Sequence, residues 1–356
     1  MRAAYLAQLR AFARAPLTTI LAVVLPVNLL LLLSLFALTG YNAPTALVMG
    51  EHTPAAEAFA QAMRDTHNSF DLRPMDGPTA RARLKAARIV AIVEIPEGFE
   101  REVTVGHTVG VSLTIDNVNL DLTEDVRRAV PSAAAIFAAR QGFGEVRVVP
   151  SLRNVLPRDT GYVEYLGVSA IALAACIAGG VLAGTVTARE WETGTARLLM
   201  LSPRGIAPSL IGRLGAAATV GVGASVATAA IVTLGYRVPL RHPVEAFAGI
   251  VATVLASTAM GAVVGATFRR VLPIAPFVVG VTLPFYLDSG ALEPQRLDGP
   301  WLFAGAHLSP AYYGVGVMEH AFHGLVVTPE PRWVLIAALL AMTAVLVPVT
   351  RRLATR

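Results

Sequence analysis

Six stretches of this sequence stay apolar for close to 20 residues: Leu17–Thr39, Tyr162–Thr187, Gly212–Leu234, Val244–Thr267, Val271–Leu287 and Trp333–Val349. A helix of that length rises about 30 Å, the thickness of a bilayer's hydrocarbon core. Only 15% of the residues are charged, against about 25% in a typical soluble domain. The chain therefore reads as an α-helical polytopic membrane protein with six transmembrane helices. The first run is longer than the roughly 7–15 residues of a cleaved signal core, so it reads as a retained anchor. Ahead of it, residues 1–16 have helical spacing, with Tyr5, Leu6, Leu9, Phe12 and Ala13 on one face and Arg10 and Arg14 off it. That pattern suits a helix lying in the membrane interface; the plainer reading is a basic flank that orients the first span.

Residues 40–160 change character. Charge returns, the long apolar runs stop, and short strand and helix signals alternate. Strands are predicted at Thr45–Met49, Phe70–Pro74, Ile89–Ile95, Val111–Asp116 and Val146–Val149. Helices are predicted from Thr53-Pro54 to about Thr66, over Thr79–Arg88, and from Leu120 to Gln141 with a bend at Pro131. Such alternation argues for one compact α/β domain. The acidic residues Asp116, Asp121, Glu124 and Asp125 lack calcium-loop spacing. The domain organisation is thus 1–39 (interfacial helix and first span), 40–160 (inserted α/β domain) and 161–356 (five further spans).

The arginines orient the spans. With the N-terminus inside, the short inner segments hold twelve, including Arg189, Arg197, Arg204, Arg213, Arg269 and Arg270, and the short outer segments hold Arg237, Arg241, Arg296 and Arg332. The positive-inside rule then puts both ends in the cytoplasm and the α/β domain outside. The arginines form no stripe and have no interleaved aromatics, so nucleic acid is not an expected partner. Cys176 is the only cysteine, which rules out an intrachain disulfide. Lys85 is the only lysine and lies in Arg-Leu-Lys-Ala-Ala-Arg. A phosphate-binding loop needs Gly-Lys-Ser/Thr, so any ATP-driven work requires a second polypeptide.

Between the second and third runs lies Arg189-Glu190-Trp191-Glu192-Thr193-Gly194-Thr195, continuing to Ser202-Pro203. Buried at mid-bilayer, each charge would cost about 2.5–3.5 kcal/mol. Segment 188–204 is therefore expected in a cytoplasmic loop, as a short amphipathic helix with a tight bend at Gly194-Thr195. Glu190, Glu192, Thr193, Gly194 and Thr195, then Leu198-Leu199 and Ser202-Pro203, resemble the E-x-E-x-G-T…L-L…T/S-P signature of ABC exporter permeases of the second, integral-membrane type. The resemblance implies a coupling helix docked on a cytoplasmic ABC ATPase, with ATP and Mg on that partner and no cofactor on this chain. It also implies pairing with a second permease copy or paralogue in the lipid bilayer of the cell membrane. Where members often carry an acidic residue, this chain has Arg197.

Two further segments resemble the same family. Ile92-Val93-Glu94-Ile95-Pro96-Glu97-Gly98-Phe99 with Val111–Asn117 is similar to the subclass with a large ectodomain after the first span. Leu308-Ser309-Pro310-Ala311-Tyr312-Tyr313 resembles a segment of short re-entrant helices at the outer mouth, here 288–332. The same region has Glu319, His320 and His323 at helical spacing, read as the lining of a wet vestibule or, more sharply, as a proton relay or metal site. The implied function is export of a hydrophobic or amphipathic substrate such as a drug, lipid or peptide. The alternative is a membrane-anchored receptor or scaffold working through its α/β domain. A transporter driven by an ion gradient would want ionisable groups at mid-membrane, and the spans have almost none.

Overall fold

A computed structural model of the chain describes residues 1–14, 43–66, 70–86, 88–116, 120–143, 145, 148–154, 162–203, 205–292, 300–325 and 327–354. The first expected span, Leu17–Thr39, lies outside them, as do Arg204, Arg296 and the side chains of Asp121, Glu124 and Asp125. The chain divides into two compact units, Ala37–Tyr162 and Met1–Phe36 with Val163–Arg356.

The first unit is built on a five-stranded sheet. Its strands are β1 (Ala43–Met49), β2 (Phe70–Pro74), β3 (Ala91–Ile95), β4 (Val109–Ile115) and β5 (Val148–Asn154), in the order β2-β1-β3-β4-β5. Only β3–β4 is antiparallel. Central β3 buries Ile92, Val93 and Ile95 and exposes Glu94, as expected of a strand with neighbours on both sides. Four helices accompany the sheet. In chain order, α1 being the N-terminal helix Arg2–Arg14, they are α2 (Pro54–Arg64), α3 (Gly77–Lys85), α4 (Phe99–Val105) and α5 (Leu120–Gln141). Thr53 caps α2, as the sequence predicts, with Pro54 in the first turn. Asp76 caps α3 by accepting from the Thr79 N–H at 3.0 Å. The helix therefore starts at Gly77, two residues ahead of its expected start at Thr79. Phe59, Phe99 and Phe137, one from each of α2, α4 and α5, meet with ring centroids 5.6–5.8 Å apart.

Helix α4 has no counterpart among the sequence expectations. A carboxylate placed far away in sequence holds its N-terminus. Glu51 accepts from the Glu100 N–H at 2.8 Å and the Gly98 N–H at 2.9 Å. These two donors, Glu100 first, hold the Glu51 carboxyl below the usual carboxylate range. A lowered folded pKa stabilises the domain above the usual range, and that contribution fades as pH falls through the folded value. In the full chain, Glu51→Gln should speed amide exchange at Gly98 and Glu100 at neutral pH. At acid pH wild type and variant should converge. A difference that persists undiminished at acid pH would show that the carboxylate charge is not what holds α4.

The second unit holds five helices long and apolar enough to cross a membrane among the described residues: Glu164–Glu192, Ala207–Gly235, Pro243–Phe268, Ile274–Ala291 and Arg332–Leu353. They belong to α6 (Tyr162–Glu192), α8 (Ala207–Ala230, extended by a π-helical turn to Gly235), α9 (Pro243–Phe268), α10 (Ile274–Tyr286, extended by a π turn to Ala291) and α13 (Arg332–Ala354). Short α7 (Thr195–Met200) links α6 to α8. α11 (Pro300–Ala306) and α12 (Pro310–His323) lie between α10 and α13, too short to span. The fifth run carries three prolines, and only one of them interrupts the helix. Pro273 precedes α10 and Pro276 falls in its first turn, where no backbone N–H is needed; only Pro284 is interior.

Candidate functional site

The Glu190 segment departs from its expected loop. α6 continues five residues past Thr187, so Arg189, Glu190, Trp191 and Glu192 form its last turn. The helix stops where Gly194 adopts φ 74°, a left-handed conformation open to glycine. Thr193 supports the stop by donating to the Arg189 carbonyl at 2.8 Å and meeting the Thr195 hydroxyl at 2.9 Å. The helix tolerates these charges because other spans supply their partners. Glu190 turns inward, 3% exposed, into an ion pair with Arg213 of α8. Glu192 accepts from the Val271 N–H at 3.2 Å, in the turn between α9 and α10. The Arg269 guanidinium of that turn lies 4.1 Å over the Trp191 ring and donates to the Leu353 carbonyl of α13 at 3.4 Å. One turn of helix thus ties α6 to the ends of α8, α9, α10 and α13.

Across this end lies α7. Ala196, Leu199 and Met200 pack inward with Ile206 and Trp191. Ser202 closes the turn by donating to the Leu199 carbonyl at 2.8 Å, and Pro203 follows, exposed. The other face of α7 is bare: Leu198 is 71% and Leu201 84% exposed, with Arg197 beside them. The expected bend and short helix are present. Of the two glutamates, expected in the segment that docks on the ATPase, Glu190 is buried against Arg213, while Glu192 stays exposed as it accepts from the Val271 N–H. Sequence reasoning missed Arg213 as the partner of Glu190, although an arginine just inside an apolar run was the available signal, and it missed Arg269 as the partner of Trp191.

α1 packs on α8. Phe12 is buried with Leu182, Val186, Leu210 and Leu214, Tyr5 and Leu9 flank the same cluster, and Leu6 turns outward. Tyr5 Oη lies 3.1 Å from Thr219 Oγ1. At the start of α12, Ser309 caps the helix at 3.2 Å from the Ala311 N–H and Pro310 takes its first turn. Tyr312 is buried against the His307 ring, with centroids 4.3 Å apart, and donates to Glu330 at 2.6 Å. Tyr313 donates to the His307 carbonyl at 3.0 Å. The three residues at helical spacing have different surroundings. Glu319 is fully buried, 3.9 Å from His323 Nε2, and His320 bonds instead to Glu245. Among the described residues no group of three or more His, Cys, Asp or Glu is arranged to hold a metal ion.

The profile of the ABC-2 family transporter proteins matches residues 17–350. The chain belongs to that family. No curated protein matches it. Family membership and the apolar helices make this a multi-pass membrane protein, and the membrane subunit of a transporter rather than a catalytic enzyme. ABC-2 permeases work with an ATPase subunit, so a bare apolar face at one end of the bundle is the feature to explain.

Proposed function

We propose that the chain is the permease of an ABC exporter and that the exposed face of α7 docks on a separate cytoplasmic ATPase, which carries the ATP and Mg. The observation that carries this reading is the pair Leu198 and Leu201. The inner face of α7 already packs on the end of the bundle, so its outer face points away from the spans, toward water. Two leucines there are unfavourably hydrated unless a partner covers them. Arginines gather at this end, consistent with a cytoplasmic location under the positive-inside rule and with the α/β domain outside. Two permeases, as a homodimer or with a paralogue, would frame the path. Closure of the ATPase pair would push α7, and the Glu190–Arg213 and Trp191–Arg269 contacts would pass that push to the spans as rigid-body movement. The cargo would be hydrophobic or amphipathic, such as a drug, lipid or peptide; a cavity of about 110 Å³ between α6, α9 and α10, lined by Cys176, Met260, Phe277 and Phe285 among others, matches that apolar character but is too small to hold one by itself.

The test is purification of the tagged chain in mild detergent with its companions identified by mass. A stoichiometric partner bearing a Gly-x-x-x-x-Gly-Lys-Ser/Thr loop is expected. Leu198→Glu with Leu201→Glu should lower its recovery by about tenfold or more, the loss expected of a docking anchor. The thermal midpoint should stay put, since both side chains are exposed. A chain that purifies alone under conditions that preserve other membrane complexes would favour the receptor or scaffold instead.

A further inference from the structure

Where α12 gives way to α13 there is a cleft of about 300 Å³, unrelated to the docking face. Its position follows from α13. That helix has 23 residues and so rises about 34 Å. Its far end meets Arg269 through Leu353. The cleft lies at its near end, beside Arg332 and Trp333, one hydrocarbon thickness away at the opposite membrane boundary. Trp333 is exposed, as an indole at headgroup depth is expected to be. Below it runs the barest of the described spans. Only 17% of the apolar window of α13 is buried, against 94% for α6, and Leu340 and Val345 face outward.

The polar groups of the cleft are of both signs. Arg332 Nη1 lies 3.2 Å from His320 Nε2. A guanidinium only donates, so Nε2 accepts, and the imidazole keeps its proton on Nδ1 for Glu245 at 2.8 Å. This run of hydrogen bonds positions Arg332, whose Nε also lies 3.8 Å from Glu245 Oε2, while over half of the side chain remains exposed and its remaining N–H donors stay available. Two residues earlier, Glu330 accepts from Tyr312 through Oε2, and its Oε1 lies 3.6 Å from His307 Nε2. An anchored guanidinium, an anchored carboxylate and an indole therefore border one cleft beside a bare apolar flank.

We propose that this cleft binds the headgroup of a phospholipid carrying a primary ammonium, phosphatidylethanolamine in chemical terms. Its phosphate sits on Arg332, its ammonium on Glu330 and against Trp333, and its chains lie along α13. A purely anionic headgroup satisfies Arg332 but brings negative charge to Glu330. A choline headgroup has no N–H to give the carboxylate. The inference is independent of the exporter reading, since it requires neither an ATPase nor transport.

Native mass spectrometry of the purified full chain tests it, with phosphatidylethanolamine, phosphatidylcholine and phosphatidylglycerol of identical chains added one at a time. Wild type should retain phosphatidylethanolamine about tenfold better than either of the others, the size of one charge-assisted hydrogen bond. Arg332→Gln should lose retention of all phospholipids at this site, and Glu330→Gln should lose the preference while keeping phosphatidylglycerol. Equal retention of the three lipids by wild type, a preference for phosphatidylglycerol, or an unchanged ladder in either variant overturns the proposal. The wild-type ladder alone decides if a variant fails to insert.

Discussion

Replacing Arg213 with alanine is expected to destabilise the folded chain by about 3 kcal/mol. Most of that cost comes from the carboxylate stranded without its partner, and less from the missing attraction itself. Glu190 is 3% exposed and Arg213 is its ion-pair partner. Removing one member of a buried pair typically costs about 3–5 kcal/mol, because the other charge stays out of water without compensation. The lower end applies here, since Arg213 itself is 28% exposed and water can reach part of the site. Glu190→Gln, which removes the charge and keeps the shape, should cost only about 1 kcal/mol. The double variant should be more stable than Arg213→Ala alone, because the stranded charge is gone. Thermal midpoints of the four proteins in one detergent complete the cycle. Losses that simply add would mean that Glu190 and Arg213 do not act as a pair.

That pair also shows what is legible in the sequence and what is not. The charges of 189–192 are too costly for mid-bilayer on composition alone, and the bend at Gly194 follows from its residue type. The end of α6 falls five residues beyond its expected place because the partners that make those charges tolerable lie on other spans. Arg213 is 23 residues on from Glu190 and Arg269 is 78 on from Trp191. Local spacing carries no record of such meetings. The same holds for α4, whose N-terminus depends on Glu51, 49 residues before Glu100. Features decided by neighbours in sequence are legible: Thr53 ahead of Pro54, Ser309 ahead of Pro310, the long helix through Pro131, and most strands of the sheet. The fate of Glu319 and His320 is not, since helical spacing is the same whether a face meets water, another helix or Glu245.

Gly261→Ala should be at least as damaging as loss of Arg213. The glycines Gly179, Gly180 and Gly184 mark α6 as a helix for close approach; on α9, Gly179 faces Val254, Ser257 and Thr258, Gly180 faces Gly261, and Gly184 faces Gly261 and Gly265. A Cβ on Gly261 would run into the carbonyl and Cα of Gly180, and one on Gly265 into the Gly184 carbonyl. These obstacles are backbone, so no side chain can swing aside and the two helices must separate. Overpacking of this kind usually costs about 1–3 kcal/mol, and a clash on a rigid crossing belongs at or beyond the top of that range. The contrast is Gly223→Ala in α8, where an added Cβ meets nothing within 4 Å. There the change should be neutral or stabilise by up to about 1 kcal/mol, through helix propensity alone. The two alanines differ only in what stands opposite them, so their thermal midpoints isolate the crossing. If Gly261→Ala melts with Gly223→Ala, α6 and α9 do not cross at this point. If it melts far below, the crossing is a rigid pivot, and movement imposed on the Glu190 end of α6 has to carry α9 with it.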